Sequence, residues 1–272
     1  MTSPLQMLQL NIARSRARME ALINDTAIRD LDILLIQEPL AQQHMTQVQH
    51  REWTCYRPTY DEEVRRRSLI YINKRFSAST HRQTPCSSPD VTAVQLQTPT
   101  QAILIFSVYI PPVEKIAAVD EERLHNTTQA IQGTIQAHSV NPEAGPDIIM
   151  GGDFNRQHPM WGGDNINRKR ITEASSLLMF IRDHNLHSLL SRGTPTFWSV
   201  NKPGTRSTLD LTLSNIPTQL LKCQIYPESY GSDHRATYSE WDLSPRRREQ
   251  APARRLYQNT DWEEVGKRVQ WS

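Results

Sequence analysis

An α/β layered sandwich is the fold class this sequence predicts, on two observations. Apolar runs of strand length recur along the chain, and two or three longer segments between them carry apolar residues at helical spacing. Neither an all-α nor an all-β fold accommodates both.

Residues 5–12 alternate loosely as a strand, and the polar, Arg-rich stretch 15–28, with Met19, Leu22 and Ile23, reads as an amphipathic helix with Asn11 at the junction. Residues 31–36, apolar but for Asp32, form a run that stops at Gln37, Glu38 and Pro39, so an acid emerges where the strand ends. Residues 68–73, 91–97 and 102–110 are further strands, the last closed by Pro111 and Pro112. A helix is predicted over 114–138 from Ile116, Val119, Leu124, Ile131 and Ile135, ending before the turn at Asn141, Pro142, Gly145 and Pro146. Residues 147–152 are a buried strand that delivers Asp153. A second helix is predicted over 168–184, with Ile171, Ala174, Leu177, Leu178 and Ile181 on one side. Residues 208–214 alternate strictly, leucines on one face and Thr208, Asp210 and Thr212 on the other. Ile225 and residues 238–243 close the body.

Beyond Leu243 the composition turns basic and proline-containing. Thr260 with Glu263 then makes a capping-box pattern, ahead of Trp262, Val265 and Val269 at helical spacing. The expected division is therefore a domain over 1–243, with 244–272 a basic linker and the start of a helix. A helix that short is marginal alone, so it docks on the body or belongs to a longer polyprotein.

With 272 residues, 37% of them hydrophobic, the chain can bury a large core without staples. A net charge of +2 is too mild to demand a polyanionic partner, so local clusters say more. Basic groups recur at Arg14, Arg16 and Arg18, at Arg65 to Arg67, at Arg168 to Arg170 and at Arg246 to Arg248. Any one of them reads as a solvated face; together they allow a phosphate-binding track. Cys55, Cys86 and Cys223 lack CxxC spacing, which points away from a zinc site or a disulfide framework. No apolar stretch is long enough to span a bilayer. The expected setting is intracellular, and nuclear when DNA is the partner; no membrane partner is expected.

The chemistry gathers at strand ends. Asn11, Glu38, Tyr109, Asp153, Asn155, Asp210, Asp233 and His234 each lie at or beside the end of an apolar run. Brought together they supply hard oxygen ligands for a divalent cation, amide and imidazole groups for an oxyanion, and a proton acceptor for water. Each also has a simpler reading. Asn11 caps the following helix, Tyr109 is core, Asp210 faces water, and Asp153 with Asn155 makes a turn.

Six segments in order, LNIA, LLIQEP, VYIPP, IIMGGDFN, STLDLTLS and GSDH, resemble the endonuclease/exonuclease/phosphatase superfamily, whose DNase I-like fold also houses apurinic endonucleases. The resemblance covers about residues 5–243. Within the superfamily, GGDFNRQHPMWGG at 151–163 and TLDLTLSN look like the apurinic-type endonuclease domains of non-LTR, LINE-like retrotransposons, where a reverse transcriptase domain follows. The fold it implies is a four-layer sandwich, two packed mixed β-sheets flanked by helices.

The activity implied is Mg²⁺-dependent nicking of DNA, with Mn²⁺ as an alternative ion. The products would be a 3′-hydroxyl, which primes reverse transcription, and a 5′-phosphate. By the same resemblance Glu38 is the principal metal ligand, helped by Asn11 and Asp233. His234 contacts the scissile phosphate and pairs with Asp210, Asp153 handles the attacking water, and Asn155 with Tyr109 holds phosphate oxygens. Thr196 and Ser232 match hydroxyl positions that line the substrate, or are ordinary loop polars; beside the active loop, Arg156 and Trp161 would clamp or stack on nucleic acid, with core packing an equal reading for Trp161. Some apurinic enzymes carry a second acid where this chain has Ala13, which puts a strong abasic-site activity in doubt. Two rivals stand beside this reading: a superfamily hydrolase of another phosphate ester, such as an RNA 3′ end or a phosphoinositide, and an inactive nucleic-acid-binding relic.

Overall fold

The computed structural model describes residues 3–40, 49–59, 64–113, 116–139, 145–202 and 204–244. Along the chain run β1 (Leu5–Asn11), α1 (Arg16–Asn24), β2 (Ile33–Gln37), β3 (Trp53–Tyr56), β4 (Ser68–Asn73), β5 (His81–Thr84), β6 (Val91–Gln97) and β7 (Ala102–Tyr109). They are followed by α2 (Ala117–Ala137), β8 (Asp147–Asp153), α3 (Pro159–Gly162), α4 (Arg168–Glu173) and α5 (Ser175–Asp183). The last elements are β9 (His187–Ser188), β10 (Phe197–Trp198), β11 (Arg206–Ser207), β12 (Asp210–Ser214), β13 (Leu220–Ile225) and β14 (Thr237–Trp241).

Two six-stranded mixed sheets result, ordered β13-β14-β1-β2-β4-β3 and β5-β6-β7-β8-β12-β9. Each has a parallel pair at its centre, β1 with β2 and β7 with β8, and antiparallel neighbours on either side. Parallel strands need a long crossover, which α1 and α2 respectively provide. The registers bring strand ends level. Asn11 pairs with Gln37, one residue short of Glu38, and Tyr109 pairs with Asp153, which pairs with Asp210.

Period-two alternation explains the layers. Leu8, Leu10, Leu34 and Ile36 pack outward against Met19, Leu22 and Ile23 of α1. Phe106, Met150, Leu211 and Leu213 pack outward against Leu124 and Ile131 of α2 and Leu177 and Ile181 of α5. The opposite faces meet between the sheets, where Leu5, Met7, Ile33, Leu35, Ile105 and Trp241 interlock. Burying each such side chain contributes roughly 1.5–3 kcal/mol before the ordering entropy is subtracted. These are the four layers expected, helix, sheet, sheet and helix.

Along the inner face the side chains change character. Leu5 and Met7 give way to Gln9 and Asn11, Ile33 and Leu35 to Gln37, Ile103 and Ile105 to Ser107 and Tyr109, and Ile149 to Asp153. An apolar core therefore opens, at one end of the strands, into a polar pocket floor. This corrects the alternative that Asp210 faces water: β12 is covered on both sides and Asp210 is 0% exposed.

The segment expected as one helix over 168–184 is two. At Ala174 the backbone sits at φ −95°, ψ −1°, and its N–H turns to Ile171 O and Thr172 O, closing α4 before α5 begins. The helix expected over 15–28 likewise stops at Asn24. There the Asp25 side chain accepts from Ala27 N and starts a separate turn. Cys55, Cys86 and Cys223 are not joined in disulfides. Among the described residues no helix is long and apolar enough to cross a membrane. The basic linker and capping-box helix expected after Leu243 lie beyond Ser244, outside the described residues.

Candidate active site

The site begins with a close approach. β8 lies between β7 and β12, and a Cβ on Gly152 would come 1.9 Å from the Val108 carbonyl oxygen, so no larger residue fits against β7 there. Immediately beyond, Asp153 is buried and Asn155 turns the chain with φ +49°. The Asn155 N–H and its Nδ2 both donate to the Asp153 carboxylate (3.1 and 2.8 Å), and Nδ2 also donates to Ile110 O (3.0 Å). Asn11 Nδ2 from the neighbouring sheet donates to the same Oδ2 (2.9 Å). Asn155, expected to hold a phosphate oxygen, directs its amide hydrogens to Asp153 and to the Ile110 carbonyl.

His234 stands between two acids. Its Nδ1 is 2.9 Å from Asp210 Oδ2 and its Nε2 is 3.9 Å from Asp153 Oδ2. The Phe197 ring lies against the imidazole, with centroids 4.9 Å apart. Burial works against the charge on His234, but Asp210, Asp153 and Asp233 outweigh it and push the imidazole up to about 10. Burial, reinforced by Asp210, drives Asp153 up to about 7, against the opposing pull of His234. A cation wedged between carboxylates is what this geometry favours at neutral pH.

A buried hydrogen-bonded ladder fixes Asp210 from below. Gln9 Nε2 donates to Asp210 Oδ1 (2.9 Å) and Gln37 Oε1 (3.0 Å), while Gln9 Oε1 accepts from Thr237 Oγ1 (2.7 Å). Gln37 Nε2 continues to Ser107 Oγ (3.0 Å), and Ser107 donates to Ile36 O (3.2 Å). With both of its oxygens engaged, Asp210 has one orientation, and the orientation of His234 follows. Sequence reasoning missed this ladder. Gln9 sits between Leu8 and Leu10 and looks like an outward position on a half-exposed strand; only the second sheet makes that face interior.

Glu38 occupies the other side, with φ +46° at the end of β2. Its Oε1 accepts from Tyr109 OH (3.0 Å) and from Arg14 Nε and Nη2 (3.0 and 2.8 Å). Burial, then the neighbouring Glu38 and Asp153, raise the Tyr109 phenol far above its usual value, which keeps it a donor. Arg67, paired with Asp90 (Nη2 to Oδ2, 2.8 Å), lies 5.4 Å over the Tyr109 ring and holds it in place. Arg14 and Arg67 belong to two of the basic groups noted in the sequence, but their partners were not readable there. Ala13 (φ +45°) and Arg14 (φ +58°) join Glu38 and Asn155 in the left-handed region without being glycine. Such strain, about 1–3 kcal/mol each, gathers where surrounding contacts enforce a geometry.

Two expected substrate contacts, Arg156 and Thr196, are corrected, and Trp161 takes its core reading. Arg156 is 1% exposed, paired with Asp120 (2.8 Å) and bonded to Pro111 O and Asn155 O, so it braces the loop rather than clamping a ligand. Trp161 is equally buried and its Nε1 donates to Arg156 O (3.0 Å). Thr196 is 0% exposed, and its Oγ1 accepts from both Leu209 N and Asp210 N (3.0 Å each), so it positions Asp210 from behind. Ser232, partly exposed, donates to Asn11 O (2.6 Å) and accepts from His234 N (3.2 Å), tying the loop that carries His234 to the end of β1.

A divalent cation has two candidate seats. Asp153, Asp210 and His234 present ligand atoms within 4.8 Å of one another. There, however, Asp210 and His234 already satisfy each other, and an imidazole favoured as a cation is a poor ligand. Glu38 is the better seat on chemical grounds. A guanidinium already rests on its carboxylate, showing that the position receives positive charge, and hard cations prefer oxygen. Asp233 Oδ1 is buried without a hydrogen-bond partner among the described residues, the mark of an acceptor built for something other than protein. Glu38 and Asp233 thus leave carboxylate oxygens open to such an ion among the described residues, whereas Asn11 Oδ1 accepts from Ala13 N (2.8 Å).

A family model described as endonuclease-reverse transcriptase matches residues 103–238. The chain is 28% identical over 149 residues to the RNA-directed DNA polymerase from mobile element jockey of Drosophila melanogaster, and 29% identical over 143 residues to that of Drosophila funebris. These matches take in 54% and 52% of this chain but only 14% and 13% of the relatives, so it spans a small part of their length. Among solved structures, the endonuclease domain of TRAS1, a telomere-specific non-LTR retrotransposon, superimposes with a TM-score of 0.67 at 22% identity, covering 89% of this chain and 100% of that one. The AP endonuclease LMAP from Leishmania major gives a TM-score of 0.70 at 14% identity, covering 89% of each. These two share the fold: the DNase I-like sandwich of the endonuclease/exonuclease/phosphatase superfamily.

Proposed function

The chain belongs to the endonuclease-reverse transcriptase family, and from that premise we propose that it is a Mg²⁺-dependent DNA endonuclease that nicks one phosphodiester to leave a 3′-hydroxyl and a 5′-phosphate. The observation that carries this reading is the placement of the His234 ring, 2.9 Å from Asp210 on one side and 3.9 Å from Asp153 on the other. A phosphodiester repels nucleophiles through its negative charge, so a fixed cation and a proton acceptor on one side of the phosphorus are what its hydrolysis needs.

Asp153, aimed by Asn11 and Asn155, takes a proton from water as the water oxygen bonds to phosphorus. His234, held by Asp210, neutralises charge on a phosphate oxygen. The phosphorus bond to the 3′ oxygen breaks, and that oxygen takes up a proton to become the 3′-hydroxyl. Glu38, Asn11 and Asp233 would hold the metal ion, which supplies Lewis acidity toward the phosphate when bound.

A role in target-primed reverse transcription is part of the proposal. It is supported by the relatives that are RNA-directed DNA polymerases of mobile elements, only a seventh of which this chain matches. The partner would be a reverse transcriptase domain in the same polyprotein, reached through residues 244–272, and the place of action the nucleus.

The test is a supercoiled-plasmid assay with Mg²⁺ or Mn²⁺, with and without EDTA, run beside a panel of small phosphate esters and an RNA 3′-phosphate. Metal-dependent relaxation to nicked circles whose ends extend directly with a polymerase is expected. Turnover of the esters without nicking would reverse the assignment to DNA, and no turnover of any substrate would mark the chain as a relic.

A further inference from the structure

Arg14 grips Glu38 at two places. Its backbone N–H donates to the Glu38 carbonyl oxygen (2.8 Å), and its guanidinium donates twice to the carboxylate, from Nε at 3.0 Å and from Nη2 at 2.8 Å. Both side-chain bonds end on Oε1. An arginine fork ordinarily spreads over both oxygens of a carboxylate; here Oε2 has no donor among the described residues. Three consecutive features of this contact, Ala13, Arg14 and Glu38, lie in the left-handed region at φ +45°, +58° and +46°. The loop after β1 and the end of β2 are thus bent to make the pair.

The two partners differ in accessibility. The Glu38 side chain is 15% exposed and that of Arg14 is 52% exposed, so the guanidinium is the more solvent-accessible half of the pair. Arg65 faces the same group, its charge acting on both Arg14 and Glu38.

We propose that Arg14 is a built-in competitor for the divalent cation at Glu38, its guanidinium occupying the carboxylate until the metal ion displaces it. This deepens the reading above and rests on Glu38 being the metal carboxylate. A competing internal cation weakens metal binding by the free energy of breaking the pair, because the ion must replace an existing charge contact rather than fill a bare one. For a half-exposed pair that free energy is modest.

Isothermal titration of Mn²⁺ into the wild-type domain and the Arg14→Gln, Arg14→Lys and Glu38→Gln variants tests it, without reference to turnover. Arg14→Gln is expected to bind Mn²⁺ more tightly than wild type, by up to roughly fivefold. Arg14→Lys should fall between them, since the charge remains but the double contact is lost. An arginine that merely latches the loop predicts the opposite pattern, a lower melting temperature with Mn²⁺ affinity flat or reduced. That result overturns the proposal. Wild-type protein gives a second readout: the Arg14 Nε–H NMR signal should shift toward the solvent-exposed position as Mg²⁺ is added, and a signal that stays put also overturns it. Glu38→Gln should lose the Mn²⁺ heat. If it titrates like wild type, the metal seat itself is elsewhere and both readings fail together.

Discussion

Nε2 of His234 stands 3.9 Å from Oδ2 of Asp153, too far for a hydrogen bond and near enough for both to bond a single oxygen atom placed between them. An attacking water or a phosphate oxygen seated there would touch the proton acceptor and the cation at once. The predictions that follow turn on that gap and on what holds its two sides.

Asp153→Asn keeps the shape and removes the acceptor. Nicking should drop about 10²–10⁴-fold, the range for a lost general base. Stability should move the other way. The folded-state value of Asp153 is raised from 3.8 to about 7, so its proton stabilises the fold fully below pH 3.8, and that contribution is lost as pH rises through 7. His234 adds stability that is full below 6.5 and lost as pH climbs through about 10. The melting temperature of Asp153→Asn relative to wild type should therefore rise between pH 4 and pH 7, as followed by circular dichroism. A flat difference across that interval would show that the carboxyl is not destabilised by burial.

Turnover should climb as Asp153 ionises near pH 7 and decline as His234 loses its proton near pH 10, giving an alkaline plateau whose limbs belong to the coupled pair. Asp210→Asn removes the largest of the influences that raise His234. Its descending limb should shift to lower pH, while the rate on the plateau also falls. Plasmid-nicking rates across a buffer series measure both.

Two adjacent glycines should respond unequally. Gly152→Ala drives a methyl to within 1.9 Å of the Val108 backbone oxygen, which cannot yield without parting β7 from β8. Gly151→Ala meets the tip of Leu35 at 2.6 Å, which can rotate. Urea unfolding should show a loss of roughly 3 kcal/mol or more for the first and about 1–2 kcal/mol for the second.

Arg156→Met removes one half of the buried ion pair with Asp120. A loss of roughly 3–5 kcal/mol is expected, with DNA affinity of the folded fraction unchanged because Arg156 never reaches the surface. Fluorescence anisotropy on a short duplex, below the melting transition, separates the two. A selective fall in affinity would return Arg156 to the substrate side.

The layered body was readable because strand runs such as 33–36 and 148–152 are apolar on both faces and end abruptly in polar residues, a pattern that a buried central strand imposes. The same abrupt endings marked Asn11, Glu38, Tyr109, Asp153, Asp210 and His234, which the fold brings to one end of the sandwich. Exposure was not readable. Thr196 and Arg156 are polar residues in loop-like segments, and only coordinates show that their partners are Asp210 N and Asp120 inside the protein. Short edge strands such as β5 and β11, with Arg82, Gln83 and Arg206, carry too little apolar periodicity to stand out. The break at Ala174 was hidden because alanine is a good helix former and signals no stop.

The twinned parallel pairs have a mechanical consequence. Asn11 and Glu38 ride on one sheet and Tyr109, Asp153 and Asp210 on the other, so the reacting groups register how the two halves of the sandwich are seated. Trimming a side chain at the far, apolar end of that contact, Trp241 or Leu5, should let one half slide slightly against its twin. Catalysis would then degrade well before the protein loosens enough to melt, making turnover the finer gauge of sheet alignment.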